Sequence, residues 1–236
     1  MSAPAEALGP GPRGAACGRR IGQVLFHSLY RCRILDADKV PASGPVILAA
    51  NHTGVLDGPL VFGVAPRPAH FLVKVEMFHG PVGWVLDRCG QIPIDRSHAD
   101  RRALQQALAV LSRGGVVGVF PEGSRGLGDV AAVHGGVTWL ALASGAPVVP
   151  IACLGTRRPG AGIGRPPAPR HRVAVVFGDP VRLTADPGLP RREVHRRQTE
   201  RLRQLLAAHV VASSRRTGIP LMSAGPVTGP NLEEAS

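Results

Sequence analysis

Short, nearly continuous apolar runs, separated by stretches of helical period, constrain this chain more than any other feature. Val46–Ala50, Val116–Phe120 and Val148–Leu154 are of strand length and read as buried strands. Arg172–Phe177 and His70–Lys74 extend the series, as does Gln91–Ile94, with Pro93 counting against the last. Between them the apolar spacing turns helical. Arg19–Arg33 carries Ile21, Val24, Leu25 and Leu29 on one face, and a short helix is expected around Val82–Arg88. Asp100–Arg113 carries a Leu104, Leu108, Leu111 stripe, with Asp100 near its start and Gly114-Gly115 as its stop. Val137–Ser144 and Arg191–Arg215 follow, the second with Val194, Leu202, Leu205, Leu206 and Val210 as its apolar positions. This alternation predicts an α/β fold, a single domain with a mostly parallel central sheet flanked by helices. The expected organisation is a mobile segment 1–18, an amphipathic helix 19–33, one domain over 34–215 ending in the basic helix 191–215, and a mobile tail 216–236.

The charge is uneven. The chain has 28 Lys+Arg against 16 Asp+Glu, a formal net charge of +12, and only Lys39 and Lys74 are lysines. Residues 1–33 hold five Arg and one Glu, and residues 191–216 hold eight Arg and two Glu. Clusters of that kind attract polyanions, either nucleic acid or an anionic membrane surface. No apolar run reaches the roughly 18 residues of a spanning helix, and the first residues lack the apolar core of a secretory signal. Cys17, Cys32, Cys89 and Cys153 form neither a C-x-x-C pair nor a tight cluster with histidine. Reduced thiols are therefore expected, with no zinc site and no disulfide framework. Gly9–Gly14 spells G-x-G-x-x-G, but no strand precedes it, so it does not read as a nucleotide site.

Two segments carry chemistry. Asn51-His52-Thr53-Gly54-Val55-Leu56-Asp57 directly follows an apolar run and pairs an imidazole with a carboxylate, a general-base arrangement. Along a continuous helix five residues rotate by about 500°, so the two side chains would diverge. A non-helical turn must therefore bring them together, and Gly54 suits one. Phe120-Pro121-Glu122-Gly123-Ser124-Arg125 also follows an apolar run, and ligand sites in open α/β sheets lie beyond the carboxyl ends of strands. Its amides, hydroxyl and guanidinium suit a phosphate. Gly90–Arg96, ending in Asp95-Arg96, and Lys74 end strand candidates of their own; taken alone, Asp95-Arg96 reads as a surface ion pair before it reads as a site, and Lys74 is ambiguous in the same way.

Together these segments resemble the 1-acylglycerol-3-phosphate acyltransferase family of glycerolipid synthesis. The family's N-H-x4-D block matches Asn51 to Asp57, and its Gly…Ile-Asp-Arg block is similar to Gly90 to Arg96. Its Phe-Pro-Glu-Gly-Thr-Arg block matches Phe120 to Arg125 with Ser124 in place of Thr, and its apolar block with a central Pro is similar to Val148–Ala152. Lys74 resembles the Lys of the family's K-x-E-L-F segment. The blocks occur in order over residues 34–180. A departure is His134, which precedes Gly135 where relatives often have a basic residue.

The resemblance implies acyl transfer from acyl-CoA or acyl-ACP to the free hydroxyl of 1-acylglycerol-3-phosphate, giving phosphatidic acid. It implies His52 as the base and Asp57 as its support. Lys74, Arg96 and Arg125 would bind the acceptor phosphate, Glu122 would order the loop or bind a glycerol hydroxyl, and Gly123 and Ser124 would complete the cradle. No metal or bound cofactor is implied beyond the acyl carrier as cosubstrate. The expected location is the cytoplasmic face of the cell membrane, held peripherally by an anionic lipid surface. Another lysolipid acceptor is the alternative within the class. A non-enzymatic nucleic-acid module is the alternative outside it, but such a module does not need these blocks and would have only 4% aromatic residues for stacking.

Overall fold

The computed structural model describes residues 9–97, 100–158 and 160–222. In chain order the elements are α1 (Pro12–Leu29), β1 (Arg31–Leu35), β2 (Val46–Ala50), α2 (Asp57–Val64), β3 (Ala69–Lys74), α3 (Gly80–Arg88), β4 (Ile92–Ile94), α4 (Arg101–Ser112), β5 (Val116–Val119), α5 (Gly136–Ser144), β6 (Val148–Leu154), β7 (Arg172–Phe177) and α6 (Arg191–Thr217). The strands form one seven-stranded sheet in the order β1-β7-β6-β2-β5-β3-β4. Every pairing is parallel except that of β6 with β7.

Strand alternation divides the core. Val46, Leu48 and Ala50 of β2 join Val149, Ile151 and Cys153 of β6 on the face covered by Phe26 of α1 and by Leu60, Val61 and Val64 of α2. Ile47 and Ala49 face the other way, onto Ala103, Ala107 and Val110 of α4, Leu140 of α5 and Leu202 of α6. Leu206 and Val210 of α6 cover Ala152 and Leu154 of β6. The sheet is thus buried on both faces, which is why its strands read as near-continuous apolar runs. Pro93 is accommodated because β4 is the edge strand.

Several elements differ from expectation. The first helix runs Pro12–Leu29 rather than 19–33. Pro12 takes the first helical turn, where its missing N–H costs nothing, so part of the expected mobile segment 1–18 is helical. Residues 31–33 belong to β1, a strand whose alternating exposed arginines resemble a helix's polar face in sequence. The domain expected to begin at 34 therefore includes all of β1, parallel to β7. Helix α2, which carries Gly58, Pro59 and Gly63, was not expected. On α4 the buried stripe is Ala103, Ala107, Val110 and Leu111, while Leu104 and Leu108 are half-buried; small residues let the helix approach the sheet. Thr217 closes α6 rather than opening a tail, with Gly218 as its left-handed cap. Residues 223–236 of the expected tail lie outside the described residues.

The expected apolar face of α1 is exposed. Ile21 is 65% exposed and Val24 69%, with Leu25 and Leu29 also open. The packed face consists instead of Ala15, Gly18, Gly22 and Phe26. A Cβ on Gly22 would lie 3.0 Å from the Cα of Gly63, so α1 and α2 cross at a contact between two glycines.

Candidate active site

Strands β6, β2, β5, β3 and β4 are adjacent and parallel, so their carboxyl ends share one edge of the sheet. That edge receives Thr156 after β6, His52 after β2, Glu122 and Arg125 after β5, Lys74 at the end of β3 and Arg96 after β4. Residues far apart in the chain meet here because the strand order is not the chain order.

His52 and Asp57 are paired. Asp57 is the first residue of α2, fully buried, and its Oδ2 lies 2.9 Å from His52 Nδ1. The turn expected between them is made by the carboxylate itself: Oδ2 also accepts the N–H groups of Thr53 (2.5 Å) and Gly54 (2.8 Å). These three hydrogen bonds to one oxygen close a loop that a continuous helix could not. The helix N-terminus further favours a negative charge at Asp57. Gly54 serves by close approach, since a Cβ there would sit 3.0 Å from the Thr156 carbonyl oxygen.

The carboxylate fixes the imidazole tautomer. With Asp57 accepting, Nδ1 carries the proton and Nε2 is the basic nitrogen. Among the described residues Nε2 has no hydrogen-bond partner. His52 is 8% exposed, and its ring stacks on Phe120 at a centroid distance of 4.3 Å, which holds its plane. Asn51 anchors the turn from behind: its Oδ1 accepts Cys153 N–H at 2.7 Å, and its Nδ2 donates to the carbonyls of Cys153 and Gly128. Because Asn51 is buried inside the fold, the Asn51-His52-Thr53 sequence is not a surface glycosylation acceptor.

Glu122 joins the two motif loops. Its Oε1 accepts His52 N–H at 2.7 Å, and Gly126 N–H donates to the His52 carbonyl at 2.9 Å. Burial pushes the Glu122 carboxyl up to about 7; its bond from His52 N–H opposes the rise, while the charges of Asp129 and Asp57 add to it. Gly123 closes a turn by donating to the Phe120 carbonyl at 3.1 Å, and its own carbonyl accepts Arg96 Nη1. Gly123 N–H is thus committed to the turn; Ser124 beyond it is exposed and Arg125 is half-buried. Arg125 Nε is buried with no hydrogen-bond partner among the described residues. Partial burial and the nearby Arg125 charge hold the Arg96 guanidinium below its ordinary pKa. Two guanidiniums placed together, one with an unused buried donor, have the chemistry that suits an anion. Lys74 is at the same edge, paired with Glu76 at 2.8 Å.

The segment that carries these features, residues 31–154, matches the family model described as acyltransferase and makes up more than half of the chain. The chain belongs to the acyltransferase family. This acyltransferase is 28% identical, over 73% of its own length and 84% of the relative's, to a 1-acyl-sn-glycerol-3-phosphate acyltransferase of Bacillus subtilis. It is 36% identical to a lyso-ornithine lipid O-acyltransferase of Pseudomonas aeruginosa, over 49% of the chain and 45% of that relative. The crystal structure of a 1-acyl-sn-glycerophosphate acyltransferase from Thermotoga maritima has the same fold, with a TM-score of 0.63 and 24% identity over 85% of this chain and 79% of that one.

The structure brings together His52, Asp57, Glu122, Gly123, Arg96 and Arg125. Lys74 is at the rim, and Ser124 is exposed beside them. Thr53 and Thr156, both buried against Asp57, were not singled out from sequence. Thr156 carries no local signal, since it follows β6 and lies outside every motif. Among the described residues no His, Cys, Asp or Glu group forms a cation cluster, and the four cysteines are free thiols.

Proposed function

We propose that this acyltransferase moves an acyl group from a thioester, acyl-CoA or acyl-ACP, to the free hydroxyl of 1-acylglycerol-3-phosphate, releasing phosphatidic acid in phospholipid synthesis. The observation that carries the reading is the 2.9 Å contact of His52 Nδ1 with the buried Asp57, which leaves Nε2 as the base. His52 Nε2 takes the hydroxyl proton as the oxygen attacks the thioester carbonyl. Asp57 stabilises the imidazolium and does not itself take the proton. The tetrahedral intermediate expels the thiolate, which recovers the proton from His52. No acyl-enzyme is needed. Arg125, Arg96 and Lys74 hold the acceptor phosphate, and Ser124 lies on the same loop. Glu122, bonded to the His52 amide, orders the junction of the two loops. Beyond the acyl carrier as cosubstrate, this scheme uses no metal and no bound cofactor.

The acceptor is a lipid, and the exposed apolar side chains of the protein suit one. The chain beyond Lys74 exposes Val75 and Met77, then Val82, Trp84 and Val85 on α3; α1 adds Ile21, Val24, Leu25 and Leu29. No helix among the described residues is long and apolar enough to cross a membrane. The enzyme is placed peripherally, on the anionic cytoplasmic face of the cell membrane, with these residues at the headgroup level.

The test is an assay of purified protein against several lysolipids with each donor. His52→Ala is expected to lower turnover by about 10²–10⁴ while leaving the thermal melt in place. Near-normal turnover in folded His52→Ala removes the base assignment. Equal use of acceptors with and without a phosphate removes the acceptor assignment.

A further inference from the structure

Thr156 is buried completely, and its hydroxyl donates to Asp57 Oδ1. We propose that Thr156 is a positioning residue for acyl transfer, acting through Asp57 as a third member of the His52–Asp57 array; this rests on the reading of His52 as the base. It lies two residues beyond the end of the matched family segment, at the exit of β6.

The argument begins with the two carboxylate oxygens. Oδ2 is held by three N–H donors: His52 Nδ1, Thr53 N and Gly54 N. Oδ1 has one close donor, Thr156. Its other neighbours are longer contacts, Thr53 Oγ1 at 3.4 Å and Cys153 Sγ at 3.5 Å. The terminal torsion of an aspartate is broad, so donors on one oxygen alone leave the carboxylate plane free to swing. The Thr156 hydroxyl pins the second oxygen and thereby aims the first at the imidazole.

The single hydroxyl proton also sets a direction. Thr156 spends it on Asp57, so at the 3.0 Å contact between the two threonine hydroxyls Thr53 donates and Thr156 accepts. The chain Thr53 to Thr156 to Asp57 satisfies each buried hydroxyl and ends on the carboxylate. The backbone holds Thr156 there. Gly155 has φ +76°, and a Cβ at that position would lie 2.4 Å from the Arg172 carbonyl on β7, so the chain turns sharply between β6 and the site. The approach of Gly54 to the Thr156 carbonyl locks the same segment onto the catalytic turn.

Three variants test this in the full-length protein. Thr156→Val keeps the shape and removes the hydroxyl, Thr156→Ser keeps the hydroxyl, and Thr156→Ala serves if valine does not fold. With 1-acylglycerol-3-phosphate as acceptor, Thr156→Val is expected to lower kcat on the order of ten- to hundredfold with KM little changed. The acid limb of its kcat profile should move to higher pH, because a carboxylate that loses a donor holds more charge against the imidazolium. Of the other titratable groups near the dyad, Glu122 and Asp129 keep their partners, while Cys153 loses a hydrogen bond with Thr156, which leaves its buried thiol still more firmly protonated. Thr156→Ser should restore both kcat and the limb. Wild-type kcat and limb in folded Thr156→Val, or a Thr156→Ser no better than Thr156→Val, overturns the proposal.

A second readout needs no substrate. The His52 Nδ1–H proton resonance, assigned by its loss in His52→Ala, should shift or broaden in Thr156→Val and return in Thr156→Ser. If it does so while no acyl transfer to 1-acylglycerol-3-phosphate is found, the acceptor reading fails and the role of Thr156 stands. If it is unchanged in Thr156→Val, the role of Thr156 fails and the acceptor reading is untouched.

Discussion

The helices at the two ends of the fold, α1 and α6, look alike in sequence, each mixing arginines with apolar residues at helical spacing, yet they use those residues in opposite ways. Helix α6 buries its large side chains, Val194, Leu202, Leu206 and Val210, against the sheet and α5. Several of its arginines are paired: Arg196 and Arg197 with Glu193, Arg203 with Glu200, and Arg216 with Asp36. Helix α1 packs through Ala15, Gly18, Gly22 and Phe26 and leaves its branched residues in the open. The charge of α6 is therefore a solvated face, with half of its eight arginines paired. The exposed bulk of α1 has the character of a surface that meets something apolar. Positive charge in the sequence pointed at both helices; exposure points at one.

The comparison can be broken by stability measurements. Leu202→Ala on α6 is expected to cost about 2–5 kcal/mol, the range for removing a fully buried leucine, whereas Val24→Ala on α1 should fall within about 0.5 kcal/mol of wild type. Equal losses in urea denaturation would erase the distinction. Gly22→Leu should destabilise by about 1–3 kcal/mol, because the side chain must enter the contact with Gly63. An unchanged midpoint would mean that α1 is not held by its glycines.

Membrane binding sharpens the contrast at smaller cost to the fold. Ile21, Val24 and Leu25 changed together to serine should leave the melting temperature nearly unchanged and release the protein from anionic vesicles in co-sedimentation. Arg196→Ala and Arg197→Ala on α6 should weaken that binding less. Raising salt from 0.1 to 1 M, which shortens the screening length from about 10 to 3 Å, should remove the electrostatic share and leave the apolar one. Retention of the serine variant on vesicles would take α1 out of the lipid contact.

The smallest effects concern two carboxylates with opposite shifts. Hydrogen bonds from Arg196 and Arg197 hold exposed Glu193 at about 2, whereas burial pushes Glu122 up to about 7. A lowered carboxylate contributes stability above its unfolded value and loses it as pH falls towards 2; at an exposed site that contribution is small. A raised carboxylate does the reverse: the folded state holds the extra proton, so stability falls as pH rises from about 4.5 to 7. Glu122→Gln keeps an acceptor for the His52 amide and should flatten that decline. Denaturation curves at a series of pH values check both signs, and an unaltered slope in Glu122→Gln would show that Glu122 does not titrate in this window.

Much of the fold was legible because buried parallel strands and amphipathic helices leave local marks. β2, β6 and β7 fall at their expected residues, and α4 begins after Asp100, whose side chain accepts the Ala103 N–H. β1 and α2 were missed because their local patterns point elsewhere: Arg31 and Arg33 alternate as an exposed edge, and glycine and proline start a helix that packing completes. The motif residues of the site were legible as well, being contiguous in sequence. Their partners were not, since Asn51 to Cys153 and Asp57 to Thr156 are contacts across a hundred residues.

The sequence by itself determined the fold class, the strand and helix alternation, the order of the motifs and the chemical types at their centres, since each depends on spacing within a few residues. Tertiary structure decided the rest. Strand order set β6, β2 and β5 side by side and so delivered Thr156, His52 and Glu122 to one edge of the sheet. The crossing of α1 with α2 decided that Ala15, Gly18 and Gly22 are packed with Phe26 while Ile21, Val24 and Leu25 are exposed, because a glycine contact allows a closer approach than leucine would. Neither choice is local: pairing between distant strands and the fit of one helix against another depend on the whole set of contacts formed at once.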